Sequence, residues 1–242
     1  AIAAIPAEHE DFVYISSGTW SLMGIESKKP LISEITLKYN FTNEGGVENT
    51  FRFLKNIMGL WLIQECKRIW DSNKIEYSYS EIVEMAKIAK PFKSIIDPDD
   101  QSFYNPGNML IAINDYCKKT QQPIPESPGE YARCIFESLA LKYRYTLDCL
   151  KDISGRNFKT IHIIGGGSQN KLLCQFTADA TGLEVIAGPA EGTAIGNIMV
   201  QAMAMGEVKS ISEIRKIIKN SFDFETFKPQ NTHEWDKAYE YF

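Results

Sequence analysis

Three consecutive glycines, Gly165, Gly166 and Gly167, follow an apolar run and lead through Asn170 into a polar segment with the composition of a helix start. Glycines at a strand-to-helix turn leave no side chain between the backbone and a ligand, and the first amides of the helix favour negative charge. A nucleotide could therefore bind at this turn. A tight turn that needs glycine only for its backbone conformation would give the same pattern.

Two common nucleotide fingerprints are absent from the chain. A GxGxxG motif starting at Gly165 would need glycine at position 170, which is Asn170, and no GxxxxGK[ST] motif occurs. A nucleotide bound by this chain would have to be held in another way.

A second glycine-containing segment, residues 188–197, also leads from an apolar run into a possible helix. Ala194 and Gly196 are small enough for a flat group to approach the helix there. This face could form one wall of an adenine site, or it could pack closely on another helix.

A third candidate is the segment Ser-Ser-Gly-Thr-Trp at residues 16–20, between two short β-rich runs. Backbone amides near Gly18 and the hydroxyl of Thr19 could hold phosphate oxygens in such a turn. Serine and glycine are also ordinary turn residues, so the pattern alone does not require a ligand.

A fourth candidate depends on a predicted helix. Apolar residues recur every three or four positions between residues 51 and 70, which predicts one helix with a broad buried face. Asn56 and Gln64 would lie near one face of this helix, where their amides could form hydrogen bonds in a cleft. Solvated helix positions are the alternative.

The elements that must position these residues change in character along the chain. The first part contains a β-hairpin over residues 12–25, a third extended piece over 35–42 and the helix over 51–70. Capped helices are predicted to begin near residue 80 and at residue 128, with a loop over 91–105 inside an insertion. The last part alternates strand and helix, at residues 160–164, 171–181, 183–186 and 193–205. This βββαβαβα order with a helical insertion is that of the α/β actin-like, ribonuclease H-like ATPase fold.

Composition excludes several classes of protein. A net charge of −5 argues against nucleic-acid binding, and no apolar run is long enough for a membrane helix. The amino terminus has no secretion signal, so we expect a cytoplasmic protein. The five cysteines form no CxxC pair and the three histidines are far apart, which argues against a metal site. Cys117 and Cys134 could meet if their helices pack together, although the sequence does not establish a bond.

Together, these segments resemble the FGGY family of carbohydrate kinases, and most closely its members that act on L-rhamnulose. The segments that carry the resemblance occur in the family's order over nearly the whole chain, at residues 14–22, 43–46, 55–62, 165–170, 178–180 and 188–197.

The resemblance implies two actin-like domains that close around a cleft, with residues 1–242 as the second. It implies that MgATP phosphorylates the C1 hydroxyl of L-rhamnulose. The resemblance also implies roles for single residues. Gly18 and Thr19 would contact the ATP phosphates, and Gly166 with its neighbouring glycines would contact the nucleotide. Gln64 would lie in the ATP region, and Asn56 would reach the sugar.

The sequence departs from the family pattern at its start. The family's base is an Asp that we expect just upstream of Ala1, and the amino-terminal domain with its phosphate-binding hairpin is not in this sequence. We therefore expect the chain alone to bind ATP weakly, to transfer no phosphate and to self-associate through its uncovered cleft face. The alternatives are another FGGY kinase, acting on fuculose, xylulose or a similar sugar, and a non-catalytic actin-like nucleotide-binding module.

Overall fold

A mixed sheet of seven strands forms the centre of the protein. The structure, a computed structural model, describes residues 1–242, and the strand order across the sheet is β3-β4-β2-β1-β5-β6-β7. Strands β1, β5 and β6 run parallel to one another, and the other pairs are antiparallel. The strands are β1 (Phe12–Ser17), β2 (Trp20–Ser27), β3 (Thr42–Gly45), β4 (Phe51–Met58), β5 (Thr160–Ile164), β6 (Glu184–Ala187) and β7 (Glu225–Phe227).

Nine α-helices surround the sheet, and none of them is long and apolar enough to cross a membrane. They are α1 (Glu34–Lys38), α2 (Trp61–Ser72), α3 (Tyr79–Ile88), α4 (Met109–Lys119), α5 (Pro128–Ser154), α6 (Lys171–Thr181), α7 (Gly192–Ala204), α8 (Ile211–Ser221) and α9 (Thr232–Tyr241). Short 3-10 turns lie at Ile2–Ala4, Val47–Asn49, Gln101–Phe103 and Gly166–Gln169.

The long helix α5 carries the main core. Its start is fixed by the Ser127 hydroxyl, which accepts a hydrogen bond from the Glu130 amide, and by Pro128 in the first turn. Its end is fixed by Gly155, which adopts the left-handed conformation with φ of 64°. This helix buries a broad face, and its residues belong to a single hydrophobic cluster of 43 buried residues. The predicted helix over 128–153 is confirmed.

The two faces of the sheet belong to different clusters because side chains alternate along each strand. On β1, Val13 and Ile15 point into the main cluster with α5, whereas Phe12 and Tyr14 point into a smaller cluster on the opposite face. The smaller cluster also contains Ile2, Ile5, Leu54 and Ile164.

The prediction of one helix over residues 51–70 is wrong. Residues 51–58 form strand β4, and helix α2 begins only at Trp61. Strand β4 lies between β2 and β3, and adjacent pairs of its residues are buried, at 53–54 and 57–58, while Asn56 between them is exposed. Buried pairs four positions apart imitate the three-and-four spacing of a helix.

The extended piece predicted for residues 35–42 is also wrong. Residues 34–38 form α1, whose start is closed by reciprocal hydrogen bonds between Ser33 and Thr36, and the strand begins only at Thr42. Helix α3 is confirmed, although its capping residue is Ser78 paired with Glu81. The loop predicted over 91–105 is confirmed and contains only one 3-10 turn.

The alternation predicted after residue 159 is confirmed for every element. The strand expected at 160–164 and the helix expected at 171–181 have those bounds, and the other two elements are shifted by one residue at both ends. All five cysteines are buried and free, so Cys117 and Cys134 form no disulfide.

Candidate functional site

The turn between β1 and β2 is tied to the start of helix α2. The Leu60 amide donates a hydrogen bond to the Gly18 carbonyl at 2.9 Å, and the Trp61 amide donates to the Thr19 carbonyl at 3.1 Å. Gly59 permits this contact, because a Cβ there would lie 2.8 Å from the Gly18 carbonyl oxygen. Consequently, the turn and the first residues of α2 form one unit.

The glycine turn after β5 packs against the end of β1 from the other side. A Cβ on Gly165 would lie 2.7 Å from the Ser17 carbonyl oxygen, and a Cβ on Gly167 would lie 2.0 Å from the Ser17 hydroxyl. Gly165 also has a φ of +86°, which side chains rarely tolerate. A Cβ on Gly166, in contrast, would meet nothing within 4 Å. Two of the three glycines are therefore required by packing, and the third leaves open space.

Asn170 closes the same turn at the start of helix α6. Its side-chain oxygen accepts a hydrogen bond from the Leu173 amide at 3.0 Å, so this residue caps the helix. The amides at a helix start carry the positive end of the helix dipole. The turn after β5 therefore presents a region that favours anions.

These segments surround one cavity of about 520 Å³. It brings together Gly18, Gln64, Gly166, Gly167 and Asn170, five residues that sequence analysis selected, and Thr19 lies beside it with its hydroxyl 3.2 Å from the Gln64 side-chain oxygen. The remaining lining residues are Leu60, Ile63, Tyr79, Ser80, Val83, Glu84, Lys87, Phe136, Gln169 and Lys171.

The two ends of the cavity differ chemically. Glycine backbone and a helix start lie at one end, whereas the apolar side chains of α2, α3 and α5 form a wall that suits a flat, apolar group. Lys87 and Lys171 also line the cavity, and each is paired with a carboxylate, that of Glu84 and that of Glu225. Sequence analysis did not select the wall residues Tyr79, Val83 and Phe136, because helix periodicity predicts burial without indicating that a cavity lies beside the buried face.

Asn56 and Gln64 do not share a helix face as predicted. Asn56 is exposed on strand β4, opposite Leu22 of β2, whereas Gln64 lies on α2 in the wall of the cavity. The error follows directly from the wrong helix prediction for residues 51–58. The structure therefore places Asn56 on the sheet, outside the 520 Å³ cavity.

The glycine-containing segment at 188–197 also lies outside this cavity. A Cβ on Gly196 would lie 3.2 Å from the backbone nitrogen of Ala1, so close packing explains the small residue. Thr193, Ala194 and Asn197 line a separate cavity of about 680 Å³ beside Ala1. Close packing against the Ile2–Ala4 turn accounts for Gly196, whereas Ala194 on the same helix is exposed and lines this second cavity.

Ionisable groups behind the site have a structural role. The Tyr143 hydroxyl lies 2.7 Å from the Ser21 hydroxyl beneath the turn, and burial raises the pKa of Tyr143 to about 12. Burial, with a smaller contribution from Arg215, lowers the pKa of His162 to about 4. Both side chains are therefore neutral near pH 7, and both are buried.

A sequence profile described as the carboxyl-terminal domain of the FGGY family of carbohydrate kinases matches residues 13–205. The chain belongs to the FGGY family of carbohydrate kinases.

Proteins named rhamnulokinase are similar to this FGGY chain over almost its whole length. The protein from Bacteroides thetaiotaomicron is 51% identical over 242 residues, which is 100% of this chain and 49% of that protein. The protein from Oceanobacillus iheyensis is 49% identical over 227 residues, 94% of this chain and 47% of that protein. The chain thus spans about half the length of the curated relatives it matches.

The fold is shared with solved FGGY structures. A xylulose kinase from Rhodospirillum rubrum superposes with a TM-score of 0.71 at 14% identity, covering 100% of this chain and 47% of that one. At such low identity the match concerns the fold alone. It confirms the predicted actin-like α/β class.

Proposed function

We propose that this chain forms the ATP-holding half of a kinase that converts L-rhamnulose to L-rhamnulose 1-phosphate. The observation that carries the nucleotide assignment is the 520 Å³ cavity, which gathers Gly18, Gln64, Gly166, Gly167 and Asn170 from three distant parts of the chain. The choice of sugar is supported by the rhamnulokinase names of relatives with 43–51% identity over 94–100% of the chain.

Phosphoryl transfer depends mainly on positioning and on charge stabilisation. In this proposal, the backbone amide at Gly166 holds phosphate oxygens. The Thr19 hydroxyl, which donates to the Gln64 side-chain oxygen at 3.2 Å, turns to donate to a phosphate oxygen when ATP binds. The apolar wall of α2, α3 and α5 holds the base. The packing of Gly165 and Gly167 against Ser17 fixes the spacing between the two phosphate-binding turns.

Magnesium would accompany the nucleotide in this proposal. The chain contains no group of three or more His, Cys, Asp or Glu side chains arranged to hold a metal ion. Mg²⁺ usually keeps several waters and is bound through substrate phosphates with one or two carboxylates. The hydroxyls and glycine amides around the cavity suit phosphate oxygens, so they fit an ion that arrives already bound to ATP.

We propose further that residues 1–242 act as the second domain of a two-domain enzyme. The amino-terminal domain would supply the catalytic Asp and most contacts to the sugar, and Asn56 would reach the sugar from this chain. The match to about half of each relative supports this arrangement.

The test is a coupled assay of ADP release by the two-domain enzyme with ATP, Mg²⁺ and a panel of ketoses that includes L-rhamnulose, fuculose and xylulose. The proposal expects the highest kcat/KM for L-rhamnulose and phosphate on its C1 hydroxyl. A higher kcat/KM for another ketose would reject the assigned sugar, and absence of ATP binding by calorimetry would reject the nucleotide site.

A further inference from the structure

Two large aromatic side chains lie exposed next to each other beside the nucleotide turn. Trp20 is 43% exposed and Tyr104 is 50% exposed, and their ring centroids are 6.1 Å apart at an angle of 60°. Large aromatic side chains gain more free energy from burial than small ones do, so an exposed pair indicates a contact surface. Neither ring lines the 520 Å³ cavity, so their surface is distinct from the proposed nucleotide site.

Strand alternation decides which way Trp20 points. The next residue, Ser21, bonds to Tyr143 of α5 in the main core, so Trp20 and Leu22 point to the opposite face of the sheet. Leu22 lies directly opposite Asn56 on the neighbouring strand β4. Trp20 and Asn56 are therefore diagonal neighbours on one face, a distance that an aromatic side chain can span.

Two hydrogen bonds hold the part of the loop that directly precedes Tyr104. The Asp99 carboxylate accepts a hydrogen bond from the Met58 amide at 2.8 Å, and Met58 is the residue directly opposite Trp20 in the sheet. The indole nitrogen of Trp61 donates to the Phe103 carbonyl at 3.1 Å. The loop is thus bound to both β4 and α2 next to Tyr104.

A buried ion pair holds the same loop to helix α5. The Lys142 ammonium lies 2.8 Å from Asp97 and 3.1 Å from Asp99, and its side chain is only 8% exposed. Such a buried charge depends on its partners, because an unpaired ammonium in the core is costly. The loop over 91–105 therefore forms a fixed wall, and Tyr104 is held against Trp20.

We propose that Trp20 and Tyr104 form an aromatic wall against which the C–H face of the ketose packs, beside Asn56. The inference rests on the proposed function, because the acceptor hydroxyl must come within about 3.5 Å of the phosphate held at the Gly18–Thr19 turn. Trp20 is the next residue in the chain. Sugars carry apolar C–H groups between their hydroxyls, and an aromatic ring removes these groups from water while Asn56 bonds to a hydroxyl.

The experiment measures KM for sugar and for ATP separately in the two-domain enzyme, for Trp20→Ala, Trp20→Phe and Tyr104→Ala. Tyr241→Ala serves as the control, since Tyr241 is 88% exposed near the carboxyl terminus on α9 and does not line the 520 Å³ cavity. We expect Trp20→Ala and Tyr104→Ala to raise the KM for sugar about tenfold, the order expected for loss of one apolar contact. The KM for ATP should stay within about twofold, and Trp20→Phe should recover most of the loss.

The outcomes separate the inference from the proposed function. If the unmodified enzyme turns over L-rhamnulose but neither alanine variant raises the sugar KM, the aromatic wall is rejected and the function stands. If both KM values rise together and the melting temperature falls, the pair packs against protein instead of sugar, which also rejects the inference. If the unmodified enzyme acts on another ketose, the function is rejected, and the same variants measured with that ketose decide the inference.

Discussion

The substitution Gly166→Val should weaken the binding of ATP without changing the stability of the fold. Gly166 is exposed, and a Cβ there would meet nothing within 4 Å, so the added side chain begins in open space beside the cavity. In the proposed complex that space holds a phosphate. A hydrogen bond to a charged group contributes about 1.5–3 kcal/mol, so displacing the phosphate from one or two amides costs about 3 kcal/mol. That corresponds to a Kd for ATP about 100-fold higher.

The assay is calorimetric titration of ATP into the two-domain enzyme, together with its melting temperature. We expect the free energy of unfolding without ATP to change by no more than about 0.5 kcal/mol, as at other exposed positions. Gly107→Val is the matched control, because Gly107 is also exposed and also has nothing within 4 Å of a built Cβ, yet lies outside the cavity.

Gly167→Ala provides the opposite case at the adjacent position. Its Cβ would lie 2.6 Å from the Ser17 Cβ, so we expect a loss of about 1–3 kcal/mol of stability from overpacking. If Gly166→Val leaves the Kd for ATP unchanged, the open space beside this glycine is not a phosphate site, and the assignment of the cavity fails.

Two further predictions concern the frame around the site. Lys142→Met should leave the Asp99 carboxylate without its ion-pair partner and lower the free energy of unfolding by about 3 kcal/mol. An unchanged denaturant midpoint would show that the ion pair does not hold the loop. Burial raises the pKa of Glu137 to about 7 despite its ion pair with Arg133, so the folded state binds this proton more tightly than the unfolded state does. The free energy of unfolding that this adds is fully present below the usual carboxyl pKa and is lost as pH rises towards 7. His162 acts in the opposite sense, because its lowered pKa adds stability that is lost as pH falls from 6.5 towards 4. The difference between wild type and Glu137→Gln therefore isolates the carboxyl group, and equal pH dependence of their urea midpoints would contradict the raised pKa.

Local signals in the sequence were sufficient to predict those elements whose ends are marked by capping residues. Helix α5 has a capping serine, a proline in its first turn and a left-handed glycine at its end, and its predicted bounds agree with the structure within one residue. The turn from β5 into α6 was equally predictable, because glycines and Asn170 mark it locally.

Elements whose burial depends on distant partners were not predictable in this way. Strand β4 buries residues in two different clusters, Phe53 and Ile57 in the main one and Leu54 in the smaller one, and its spacing therefore imitated a helix. This error placed Asn56 beside Gln64, although the fold places one on the sheet and the other in the cavity wall. The resemblance to the family selected both residues as candidates, whereas their relative positions depend on the strand order.

The pairing of β1 with β5 has a consequence for synthesis of the chain. Residues 12–16 pair with residues 160–164, and the turn at Ser17 packs on a glycine 150 positions later. Closing so long a loop is slow compared with forming local contacts. A ribosome that has released only the first half of this domain therefore carries a chain in which the proposed nucleotide site is not yet complete. ATP should bind and protect the chain from proteolysis only after β5 and its glycine turn have emerged, and nascent chains halted before and after residue 170 would test that timing.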